Sequence, residues 1–154
     1  MRVRSTLTAL ALLGTLTLTA CGAETQSPPQ HEARLKKAAG IGSVDLVLTK
    51  GLWKTTRPTE LDDHKTQPAD GERGTRGLIR ITLSGTELSA YLTELDTDAH
   101  CGWLSCMADA NEEAAARRVY DTLAPAIDRV SNVRAASDPD PEVVIDDTLA
   151  TPAP

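Results

Sequence analysis

The chain has 154 residues, with 22 acidic against 16 basic side chains and a formal net charge of −6. An acidic chain of this kind is a poor candidate for binding nucleic acid or for holding anionic lipid through its own surface. Aromatic residues make up 3% of the chain and Phe is missing, so a core has to be built from Leu, Val, Ile and Ala, and the length allows one domain.

Arg2 and Arg4 form a short positive start, followed by an uncharged apolar run from Leu7 to Leu18. That run falls short of the roughly 20 apolar residues of a spanning helix, and no stop-transfer pattern follows, so residues 1–20 read as an export signal. It ends on Leu18-Thr19-Ala20-Cys21, an aliphatic residue, two small residues and a cysteine. This ending resembles the lipobox of bacterial lipoproteins. The resemblance covers about the first 21 residues. It implies that Cys21 is alkylated with a diacylglyceryl group, that cleavage falls between Ala20 and Cys21, and that the mature protein sits on the extracytoplasmic face of a cell membrane. Two acyl chains make a stable anchor, at about 0.8 kcal/mol per buried methylene, where one chain does not. The mature chain loses two arginines and no acid, which leaves a formal charge of −8. Attachment then comes from the lipid. The Ala, Thr, Arg and Asp bias is that of a high-GC bacterium.

Residues 21–40 are expected to be a lipidated tether. Gly22 to Gln30 is small, polar and Pro-containing, and His31 to Ala39 is either a short frayed helix or an extension of the tether. Val44 to Thr49 alternates and predicts a strand, with Val44, Leu46 and Leu48 on one side. Gly51-Leu52-Trp53 reads as a turn or a continuation of that strand. Arg57 to Gly77 is rich in charge, Pro and Gly, with Leu61 its one large aliphatic residue, and it reads as a long disordered loop.

Leu78 to Leu83 is the strongest strand signal, bounded by Gly77 and Gly85. Ser84-Gly85-Thr86-Glu87 matches a capping box, and Leu88, Tyr91, Leu92 and Leu95 then fall on one helical face. Residues 96–110 read as a loop. A second helix follows, capped by Asp109 or Asn111, with an apolar stripe of Val119, Leu123, Ala126, Ile127 and Val130, and with Pro125 expected to kink or restart it. Glu142 to Asp147 is either an edge strand or a sticky patch in an acidic, Pro-rich tail that covers 136–154. The expected architecture is α+β: one small domain over 41–135, two or three strands packed against two helices, between a disordered tether and an acidic tail.

The dense chemistry lies at 96–106. Asp96, Asp98 and His100 match the start of a calcium loop, but Cys101 stands where that loop needs Gly and Met107 where it needs Glu. His100, Cys101 and Cys106 are zinc-type ligands without a second spaced pair to complete a tetrahedron. With Cys21 acylated, Cys101 and Cys106 remain as an even pair, read first as a disulfide in an exported protein. Asp96, Asp98, His100 and Trp103 then form a contact loop for a cell-surface protein partner, although for Trp103 itself packing over the disulfide, between the helices, is the favoured reading. Ser84 lacks the flanking glycines of a nucleophile elbow, since Thr82 and Thr86 occupy those positions. No catalytic set, resident metal or cofactor is assigned. The functional expectation is a membrane-anchored, non-enzymatic binding module. The alternative is a small hydrolase or metal-binding protein that uses the 96–106 stretch.

Overall fold

The computed structural model describes residues 27–100, 109–130 and 139–148. The chain forms helix α1 (His31–Ala39), strand β1 (Ser43–Thr49), helix α2 (Lys50–Thr56) and, after a 3-10 turn at Thr59–Leu61, strand β2 (Gln67–Pro68). Helix α3 (Gly71–Thr75), strand β3 (Leu78–Ser84), helices α4 (Gly85–His100) and α5 (Ala110–Arg129) and strand β4 (Glu142–Ile145) complete it. The sheet order is β2-β3-β1-β4; β1 runs antiparallel to β3 and parallel to β4. The fold is α+β in one small domain, as expected, with four strands rather than two or three and five helices rather than two among the described residues.

Register sorts the sheet into two faces. Leu46 lies between Ile81 and Val143, and Leu48 between Ile79 and Ile145, so these side chains share one face. Helices α4 and α5 cover it, and Leu46, Leu48, Ile81, Leu88, Leu92, Leu95 and Leu123 are all fully buried. The helix expected behind the Ser84 box forms: the Ser84 amide donates to Glu87 Oε2 at 2.8 Å, and the Glu87 amide to Ser84 Oγ at 3.4 Å. Asp109 caps α5 with a full box to Glu112. Helix α5 runs unbroken through Pro125. The proline is exposed, so the carbonyl that loses its amide partner can turn to water.

Three expectations are corrected by packing. Gly51-Leu52-Trp53 belongs to a helix, because Thr49 Oγ1 accepts from the Leu52 amide at 3.2 Å and ends the strand. Trp53 then reaches Tyr91 edge-on at 5.3 Å between ring centroids. The stretch 57–77 is ordered rather than a loop without anchors. Leu61 and Ala69 are buried, the Ala69 amide donates to the Leu78 carbonyl at 2.9 Å, and β2 pairs with β3. Arg80 binds Asp70 at 2.7 Å across the fold-back. The packed unit also extends on both sides of 41–135: α1 packs on α4 and α5, while β4 joins the sheet and buries Val143 and Ile145.

The turn from α1 into β1 lies against the start of α4. A Cβ on Gly85 would stand 2.1 Å from the Ile41 carbonyl oxygen and 2.6 Å from that of Ala38. Both obstacles are backbone, so neither can swing aside. Gly85→Ala should therefore destabilise the fold by about 1–3 kcal/mol, the usual cost of overpacking. Gly42→Ala, with nothing within 4 Å of its Cβ, serves as the comparison. Urea midpoints of the two variants measure the difference, and equal midpoints would contradict the close approach.

Candidate functional site

Asp96, Asp98 and His100 lie on the last turns of α4, not on a loop. The capping box starts this helix early enough, and its apolar face continues far enough, to carry them. Leu88, Leu92 and Asp96 follow one another at i+4, so the row that points Leu92 into the core points Asp96 there as well. Asp96 is only 7% exposed. A helical backbone rules out the calcium-loop geometry weighed for Asp96, Asp98 and His100. Cys21, Cys101, Trp103 and Cys106 fall outside the described residues.

A buried carboxylate needs donors. Asp96 has one directed donor, Ser27, and two imidazoles close to its oxygens. Ser27 Oγ donates to its Oδ2. His31, the first residue of α1, places Nε2 at 3.6 Å from Oδ2 and pairs its Nδ1 with the Tyr120 hydroxyl of α5 at 2.9 Å. His100, one turn on, places Nδ1 at 2.8 Å from Asp96 Oδ1. The same Nδ1 is aligned with the Asp96 carbonyl at 3.2 Å, so Oδ1 has a close neighbour but no well-directed donor among the described residues. The Tyr120 ring lies 5.7 Å from both imidazoles. Burial pushes the Tyr120 hydroxyl above its ordinary pKa; a bond from Arg34 opposes this, and the Asp96 charge adds to it. Arg34 makes a two-pronged pair with Asp128 of α5, the shortest arm at 2.7 Å, and Lys37 Nζ donates to the Asp128 carbonyl at 2.6 Å.

The order of these groups limits their chemistry. In nucleophilic hydrolysis an imidazole stands between hydroxyl and carboxylate, takes the hydroxyl proton and is held by the carboxylate. Here the carboxylate stands between the Ser27 hydroxyl and the imidazoles. Ser27 already donates to Asp96, so neither histidine is placed as its base. The arrangement fastens α1 and residue 27 to α4 and α5. Among the described residues no group of three or more His, Cys, Asp or Glu side chains is arranged to hold a metal ion. No described helix is long and apolar enough to cross a membrane.

His31, Ser27, Tyr120 and the Arg34–Asp128 pair were not singled out from sequence. The available signal was the spacing of His31, Leu35 and Ala38 at i, i+4 and i+7, which makes one face of α1 with the histidine on it. Ser84 acts as a cap, as its flanking residues implied. His64 Nε2 donates to the Thr82 carbonyl, 2.9 Å away, and Nδ1 lies 3.5 Å from Glu87. With Asp63, Lys65, Gln67, Arg80 and Thr82 it lines a polar cleft of about 370 Å³ on the sheet.

Toward solvent on α4, Glu94 and Asp98 carry raised pKa values. For Glu94 the causes are partial burial, then the charges of Asp98 and Glu60; for Asp98 they are partial burial and the charge of Glu112. A carboxyl whose pKa rises on folding costs stability while ionised, and that cost disappears as pH falls through the raised value. Glu94→Gln should therefore raise the urea midpoint at pH 7 and leave it unchanged near pH 3, where both forms are neutral. A variant without any gain at pH 7 would refute the cost of burying and crowding this charge.

Removing the central acceptor should cost more. Asp96→Ala leaves Ser27 and two imidazoles without their common partner and is expected to destabilise the domain by about 1–3 kcal/mol. Limited proteolysis of the same variant should cut sooner within 27–40, since Ser27 and α1 then lose their polar tie to α4 and keep His31–Tyr120, Arg34, Lys37 and the apolar contacts. A wild-type cleavage rate there would show that Asp96 does not hold α1.

Against known protein families, curated proteins and solved structures, the chain shows no significant match.

Proposed function

We propose that the chain is a membrane-anchored, extracytoplasmic lipoprotein whose domain works as a non-enzymatic binding or interaction module. The observation that carries the anchor is the order of a positive start, an uncharged apolar run and Leu18-Thr19-Ala20-Cys21. The non-enzymatic half is supported by the order of groups at Asp96, where the carboxylate and not an imidazole meets the hydroxyl. Its contact surface would lie beyond the end of α4, in the stretch that carries Trp103, with a cell-surface protein as partner.

A hydrolase remains the second reading because one specific observation favours it. His100 stands 2.8 Å from a carboxylate, as a general base requires. It would need a nucleophile other than Ser27.

Cys21→Ser tests the anchor. An oxygen in place of the thiol removes the acceptor of the diacylglyceryl group, so the variant should lose the lipid mass and leave the membrane fraction or accumulate uncut. Unchanged mass and unchanged membrane retention would overturn the proposal.

A further inference from the structure

The position of Ser27 bears on how such an anchored domain would sit. Cys21 and Ser27 are six residues apart. A fully extended chain of that length spans roughly 20 Å. Ser27 is bonded to Asp96, and α1, which starts four residues later, is fastened to α5 through His31–Tyr120 and Arg34–Asp128. The free leash is therefore shorter than α5 alone, whose 20 residues measure about 30 Å.

Helix α1 packs chiefly on α4 and α5, and these in turn cover the inner face of the sheet. The outer face, two layers away, carries Asp45, Arg80, Thr82 and Glu142, with Arg80 bound to Asp70 and Glu142 and Thr82 bound to Asp45. Helix α3 lies beside that face, tied through Arg73 to Glu142.

We infer that the α1 side of the domain faces the bilayer at short range and that the outer sheet face, with its polar cleft at His64 and Arg80, points away from it. The inference rests on the lipid anchor at Cys21. It assigns the bilayer as the occupant of the space beside α1 and leaves the polar part of the outer sheet face, the cleft at His64 and Arg80, as the surface open to soluble molecules.

The test uses the full lipidated protein in vesicles of zwitterionic and anionic phospholipid that carry an energy-acceptor dye on a minor lipid headgroup. A fluorescent amino acid replaces Ala33 on α1 in one sample and Glu72 on α3 in another; both positions are exposed. The expected result is severalfold stronger quenching at 33 than at 72, together with flotation of both samples with the vesicles. Equal quenching, or stronger quenching at 72, in protein that floats overturns the orientation and leaves the anchor standing. Protein that stays out of the vesicle fraction overturns the anchor, and the orientation with it.

Discussion

The constraint on which the rest of the structure depends is the need to cover one apolar face of the sheet with very few large side chains. Val44, Leu46 and Leu48 on β1, Ile81 and Leu83 on β3, and Val143 and Ile145 on β4 all point to that face. With almost no aromatic residues, density has to come from many small contacts between helices and sheet. Helices α4 and α5 supply them with Leu88, Leu92, Leu95, Val119, Leu123 and Ile127. Tyr91 and Tyr120 fill the remaining volume, and each buried hydroxyl finds a partner, Thr56 Oγ1 at 2.6 Å and His31 Nδ1 at 2.9 Å. Burial holds the Tyr91 phenol far above its ordinary pKa, and the bond to Thr56 offsets only part of that rise. The helix pair must lie close to the sheet, and Gly85 allows α4 to begin where the carbonyls of α1 end.

Asp96 is the polar consequence of that packing. It stands on the buried row of α4, and a carboxylate there is tolerated only where donors converge on it. Ser27 and His31 arrive from α1 and its approach, and His100 from the next turn. The same residues that resemble pieces of an active site thus act as a fastening between helices. The fastening also sets where the chain leaves the domain, which is why a buried carboxylate on α4 bears on how an anchored protein sits at a membrane.

Much of the local structure was legible because local rules and packing agree there. The alternation of Val44, Leu46 and Leu48, the run at 78–83, the Ser84–Glu87 box and the Asp109–Glu112 box each carry their own signal within a few residues. The stretches misread or left open are those whose order comes from distant partners. Arg57 to Gly77 has almost no apolar content, and it is held by pairing of Gln67-Pro68 with β3 and by ion pairs to Arg80 and Glu142. Helix α1 is too short to persist alone and forms on the surface of α4 and α5. Strand β4 has four residues, and only parallel pairing with β1 distinguishes it from a sticky tail.

By itself the sequence determined the fold class, the two main helices with their caps, the two central strands, and the resemblance of its first residues to an export and lipidation signal. These are properties of periodicity and of short contiguous motifs, which act over one or two turns of chain. Tertiary structure alone decided that Asp96 is buried rather than displayed and that His31 and Tyr120 meet it. It also decided that 57–77 folds back onto the sheet, and that residues on both sides of 41–135 belong to the packed unit. Each of those outcomes brings together groups separated by tens of residues, and their energies depend on burial and partners that exist only once the helices have docked on the sheet.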